Sequence, residues 1–138
     1  MSIATAVPDA DVKIARTPAG LSRPALVALH LVVGLGGTGV ALSAAWISRA
    51  AWRPDGLTLP WGIALSLAGS VSAVWLARAG ATSLGFVAAA GWLTGVAVLL
   101  VVRPGGDLLL ISDTYGNTFL LAGAVAVIAT AAWGSLGR

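Results

Sequence analysis

The 138-residue chain has no cysteine and no glutamate, a single histidine and a single tyrosine, and only 9% charged residues. Without cysteine there are no disulfides, thiolate metal sites or cysteine nucleophiles. One histidine, His30, cannot by itself build a His-rich metal centre. The acidic residues are Asp9, Asp11, Asp55, Asp107 and Asp113, and none falls within a long apolar run. Autonomous proton-coupled transport depends on a membrane carboxylate that holds proton and cation in turn, and this chain lacks one. No nucleophile-base pair can be assembled either, so neither an enzyme nor a bound cofactor is expected.

What is present is 58% hydrophobic. Soluble domains carry roughly 25% charged residues, so this is the composition of a bilayer protein. At roughly 20 residues per span the length accommodates about four spans and almost nothing else. The net charge of +3 does not indicate nucleic-acid binding, because the eight basic residues are scattered between apolar runs and form no stripe. They serve better as topology determinants and headgroup contacts. Seven arginines to one lysine, with abundant Ala, Gly and Val, hint at a GC-rich bacterial genome.

The expected fold class is all-α: an integral membrane four-helix bundle with short connections and a longer outer loop between helices 3 and 4. Residues 1–24, with Pro8, Pro18, Pro24 and mixed charges, form a flexible cytoplasmic tail, and residues 25–138 form the transmembrane domain. Its first apolar run starts too late and runs too long for a secretory signal. Spans are expected at about 25–48, 57–77, 83–102 and 118–136. Pro60 lies in the first turn of the second, where its missing N–H costs little. The segment from Arg78 to Thr82 is a hairpin turn, and Ser112, Asp113, Thr114 and Asn117 compete to cap the fourth span.

Small residues recur on three spans: Gly34 to Gly39 on the first, Gly62, Ser66, Gly69 and Ala73 on the second, Gly91 and Gly95 on the third. In a soluble protein Gly34-Leu35-Gly36-Gly37-Thr38-Gly39 could pass for a phosphate loop, but the strand-turn-helix context is missing. These are surfaces on which helices approach closely. Five basic residues on the tail, second connection and C-terminus, against three on the other two connections, place both termini in the cytoplasm of a bacterial inner-membrane protein. Trp46, Trp52, Trp61 and Tyr115 mark the outer boundary, Trp75 and Trp133 the inner. Trp92, near mid-membrane, packs between helices.

Two features could carry function. His30 is an ionisable group inside a span, a candidate proton-relay, quinone or haem contact, although a neutral imidazole near a helix end can equally bond a backbone carbonyl. Asn117 is the last strongly polar side chain before the fourth span. The second feature is the third connection, Arg103 to Asn117. Arg103 can pair with Asp107, Asp113 can cap a helix, and Leu108, Leu109, Leu110 and Ile111 must be buried against the outer leaflet, the bundle mouth or a partner. With Tyr115, these are the candidate interaction residues.

Arg103-Pro104-x-Gly106-Asp107, an apolar run, and Asp113-x-Tyr115-Gly116-Asn117 leading into a last span together resemble a family of small actinobacterial four-helix membrane proteins of uncharacterised function. The resemblance covers residues 25–136. It implies four spans and an important third connection, and supplies no catalytic residue. The expected function is a non-catalytic accessory or assembly subunit of a respiratory or cell-envelope complex. Its partners would be the lipid bilayer and other integral membrane subunits or copies of itself. The alternative is a homo-oligomeric lipid or small-solute carrier, with His30 or Asn117 as polar stations.

Overall fold

The computed structural model describes residues 20, 22–51, 60–101 and 114–133. They form four helices: α1 (Arg23–Ile47), α2 (Trp61–Gly80), α3 (Thr82–Val101) and α4 (Thr114–Ala132). The first three are long and apolar enough to cross a membrane, whereas the apolar part of α4, Gly116–Ala132, is shorter. The expectation of four full-length spans is thus met by three helices.

The helix boundaries follow local chemistry. Pro24 sits in the first turn of α1, where its fixed φ is already helical and its missing N–H costs no bond. Pro60 does not do the same for α2. Its ψ of 59° is outside the helical range, so α2 starts after it, at Trp61 and not near Leu57. The orphan Gly62 N–H of the first turn donates instead to the Ala50 carbonyl, 3.0 Å away, tying α2 to the end of α1.

The expected turn from Arg78 to Thr82 is helical except for Ala81, which is extended (φ −164°, ψ 147°). One residue reverses the chain. Its carbonyl accepts from the N–H groups of Leu84 and Gly85, which satisfies two orphan donors of α3. Helix α4 begins at Thr114, earlier than expected, so Tyr115 and Asn117 belong to its first turn and not to a loop. The Thr118 hydroxyl donates to the Thr114 carbonyl at 2.7 Å, within the helix.

Helices α2 and α3 each touch every other helix, while α1 and α4 make no substantial contact with each other. Along its length α1 runs parallel to α3, with Gly34 beside Gly91 and Ala41 beside Gly95. A Cβ added at Gly91 would collide with the Gly34 carbonyl, and one at Gly37 with the Ala88 carbonyl. These glycines let two backbones touch. Thr38 crosses the contact, its hydroxyl donating to the Gly91 carbonyl at 2.9 Å as well as to Gly34 of its own helix at 3.2 Å.

Alanine supplies half of the buried apolar cluster, with Ala41, Ala44, Ala45, Ala88, Ala89 and Ala131 beside Val74, Val96, Leu99 and Val127. Trp92 and Phe119 are its largest fully buried side chains. Their rings lie 5.8 Å apart, tilted at 53°. The Trp92 indole N–H donates to the Ser70 hydroxyl at 3.0 Å, and Ser70 in turn donates to the Ser66 carbonyl at 2.8 Å. Trp92 also lies against Gly123, where an added Cβ would come within 2.8 Å of the ring. One side chain of α3 therefore engages both α2 and α4.

Arg78, expected only as a topology charge, is half-buried. Its stem crosses Gly85 of α3 and its guanidinium donates to the Thr130 carbonyl of α4 at 3.3 Å. The outward faces remain apolar: Leu31, Val32 and Leu35 on α1, Trp75 and Leu76 on α2, Val101 on α3, Leu121 and Val125 on α4 are all exposed. Helices apolar on every side need an apolar surround.

Ser70→Ala and Trp92→Phe should each lower unfolding free energy by about 1–2 kcal/mol, measured by denaturant titration in detergent micelles. The double variant should lose less than the sum, since the two share one bond. Full additivity would mean that the hydrogen bond contributes nothing. Gly91→Ala, which forces α1 and α3 apart, should cost about 1–3 kcal/mol.

Candidate functional site: two grooves beside helix α1

Most of the expected interaction residues, Arg103, Asp107, Leu108, Leu109, Leu110, Ile111 and Asp113, lie outside the described residues. Tyr115 has a described backbone in α4 but no described side chain, and Asn117 is exposed one turn into that helix. His30 lies in the second turn of α1. Because α1 is parallel to α3 and α4 antiparallel to it, His30 and Asn117 sit at opposite ends of the molecule, on helices that do not pack together. The two polar stations are not brought together.

The geometry instead draws attention to two grooves flanking α1. The first, between α1 and α2, has a volume of about 400 Å³ and is lined by small residues, including Gly36, Gly39, Ser43, Ser66 and Gly69. The glycines of this molecule divide sharply here. Gly37, Gly62, Gly91 and Gly95 abut backbone or side-chain atoms of a neighbouring helix or connection, but a Cβ added at Gly36, Gly39 or Gly69 meets nothing within 4 Å. The internal packing does not require these three. Gly69, expected to share one packing face with Gly62 and Ser66, is exposed while those two are buried. Only the atoms standing opposite each glycine separate the two classes, and residue spacing carries no trace of them.

The second groove, between α1 and α3, is larger, about 640 Å³, and is walled by Leu26, Leu31, Leu35 and Val87 with His30, Thr38 and Thr94 as its polar side chains. His30 Nδ1 lies 2.7 Å from the Leu26 carbonyl oxygen. The Thr94 hydroxyl donates to the Ala90 carbonyl at 2.9 Å. Among the described residues no three His, Cys, Asp or Glu side chains converge to hold a metal ion, and no buried side-chain polar atom lacks a partner.

No protein family, characterised protein or solved structure matches this chain. The functional reading rests on the chain's own chemistry.

Glycine within a helix costs roughly 0.5–1 kcal/mol relative to alanine. Gly36→Ala, Gly39→Ala and Gly69→Ala should accordingly leave stability unchanged or raise it by up to about that amount each. Thermal unfolding followed by circular dichroism would show this, and a loss comparable to that of Gly91→Ala would mean that the groove is closed in the isolated protein.

Proposed function

We propose that this chain is a multi-pass inner-membrane protein, a four-helix bundle with both termini cytoplasmic, that acts as a non-catalytic accessory or assembly subunit. It would serve a larger respiratory or cell-envelope complex by receiving a partner's transmembrane helix in the α1/α2 groove. The observation carrying this reading is the set of open glycines, Gly36, Gly39 and Gly69, on a groove that internal packing leaves unfilled. Between lipid-embedded helices there is no hydrophobic drive to associate, and close backbone approach over small residues supplies the attraction instead. Each open glycine would otherwise be a stability cost without return.

The apolar outer faces and the exposed tryptophans support the membrane setting. Trp46 and Trp61 stand at one end of the helices, Trp75 and Trp133 at the other, as in the two interfacial belts of a bilayer protein. Here α4 would complete the fourth span. The carrier alternative gains no comparable support, since His30 and Asn117 lie at opposite ends on helices that do not pack together.

The test is a paired comparison in native membranes. Gly39→Leu with Gly69→Leu should keep the thermal stability of the purified chain, because a Cβ at either position meets nothing within 4 Å and the groove of about 400 Å³ lies beyond it, yet strip away the proteins that co-purify under mild detergent extraction. Unchanged co-purification, or a wild-type chain that runs alone as a monomer, would remove the assembly role.

A further inference from the structure

The α1/α3 groove has a hydrogen-bonding signature separate from the glycine argument. A backbone carbonyl can only accept, so the contact between His30 Nδ1 and Leu26 O places the proton on Nδ1. In the neutral imidazole Nε2 is then an acceptor, and no other hydrogen bond reaches the ring among the described residues. The hydroxyl protons of Thr38 and Thr94 are committed to carbonyls as well. With the imidazole neutral, every polar side chain on this groove offers lone pairs and no uncommitted proton.

The remainder of the wall is hydrocarbon, and the volume of about 640 Å³ falls within the range of small-molecule sites. From Leu26 to Thr38 the groove follows α1 for about 18 Å, at about 1.5 Å per residue. His30 lies toward the α1 N-terminal end, so a polar head would sit there and a chain would run toward Thr94.

We propose that this groove binds a hydroxyl-headed lipid, whose O–H donates to His30 Nε2 while its apolar chain lies along Leu31, Leu35 and Val87. An ester or ether of the same shape has no proton to give and leaves the imidazole lone pair unmatched. Discrimination between an alcohol and its ether is the distinguishing property of the site.

The single histidine makes the test direct, because histidine labelled with ¹⁵N in the ring reports on His30 alone. The full chain in phosphatidylcholine nanodiscs is titrated with myristyl alcohol and, separately, with its methyl ether. The alcohol should shift the Nε2 resonance in the direction of an accepted hydrogen bond, saturating at one alcohol per chain, while the Nδ1 resonance stays in place and the ether has no such effect. Leu35→Trp, which obstructs the groove from an exposed position, should abolish the shift without altering the fold. Equal responses to both probes, no response to either, a shift that grows without saturation, or a saturable shift that survives Leu35→Trp would each overturn the proposal. In the first three cases ordinary acyl chains or a neighbouring helix cover the groove.

Discussion

The buried hydrogen bond from Trp92 to Ser70 is the constraint on which the remaining packing depends. An indole N–H removed from water must find an acceptor, and leaving it unmade costs about 1–3 kcal/mol. Ser70 provides that acceptor from α2 and passes its own proton to the Ser66 carbonyl. With its polar edge fixed there, the ring is held against Phe119 and Gly123 of α4. The backbone behind it faces Gly37 of α1, where an added Cβ would approach the Trp92 nitrogen to 3.1 Å. Each of the other three helices is thus located relative to this residue.

Around that centre the glycines have two different physical roles. At Gly34 and Gly91 the absence of a side chain lets the backbones of α1 and α3 meet, and the Thr38 bond forms across the same contact. At Gly36, Gly39 and Gly69 it leaves an open groove beside α1. The first role gives the molecule its shape, and the second leaves part of that shape unfilled. The outer faces are apolar over most of their length, broken by Ser43, Ser72, Thr94, Asn117 and Thr118. On such a surface the features with shape are clefts, small side chains and a few oriented lone pairs, and α1 has a cleft on either flank.

Much of the helical framework is legible in the chain. Long apolar runs bounded by Pro24 and the Arg78 turn mark three helices, and the spacing of Gly91 and Gly95 suggests a close helix contact that the structure places against α1, although Gly39 and Ser43 share that spacing and face open space. Trp92 reads as a residue packed between helices, but its partner does not show in the sequence, because a serine four residues from another serine on an apolar helix looks like another small packing residue. The general preference of proline for first helical turns misplaces Pro60, since it does not register that Gly62 finds its acceptor in the preceding connection. Polarity assigns Tyr115 and Asn117 to a loop, whereas both are accommodated in the first turn of α4. The distinction between Gly62 and Gly69 depends on which atoms lie opposite each, and no periodicity encodes that.

The extended residue Ala81 has a further consequence. Ser70 and Trp92 each stand eleven residues from it, one on either side. In an antiparallel hairpin with a one-residue pivot, equal counts mean equal heights, so the bond is specified by arithmetic as much as by chemistry. A residue inserted between Ser70 and Ala81, or between Ala81 and Trp92, would displace one partner by about 1.5 Å along its axis and about 100° around it. The composition and hydropathy of the chain would scarcely change, but the indole would face away from its acceptor. For α2 and α3, the number of residues on each side of the pivot is as much a part of the fold as their identity.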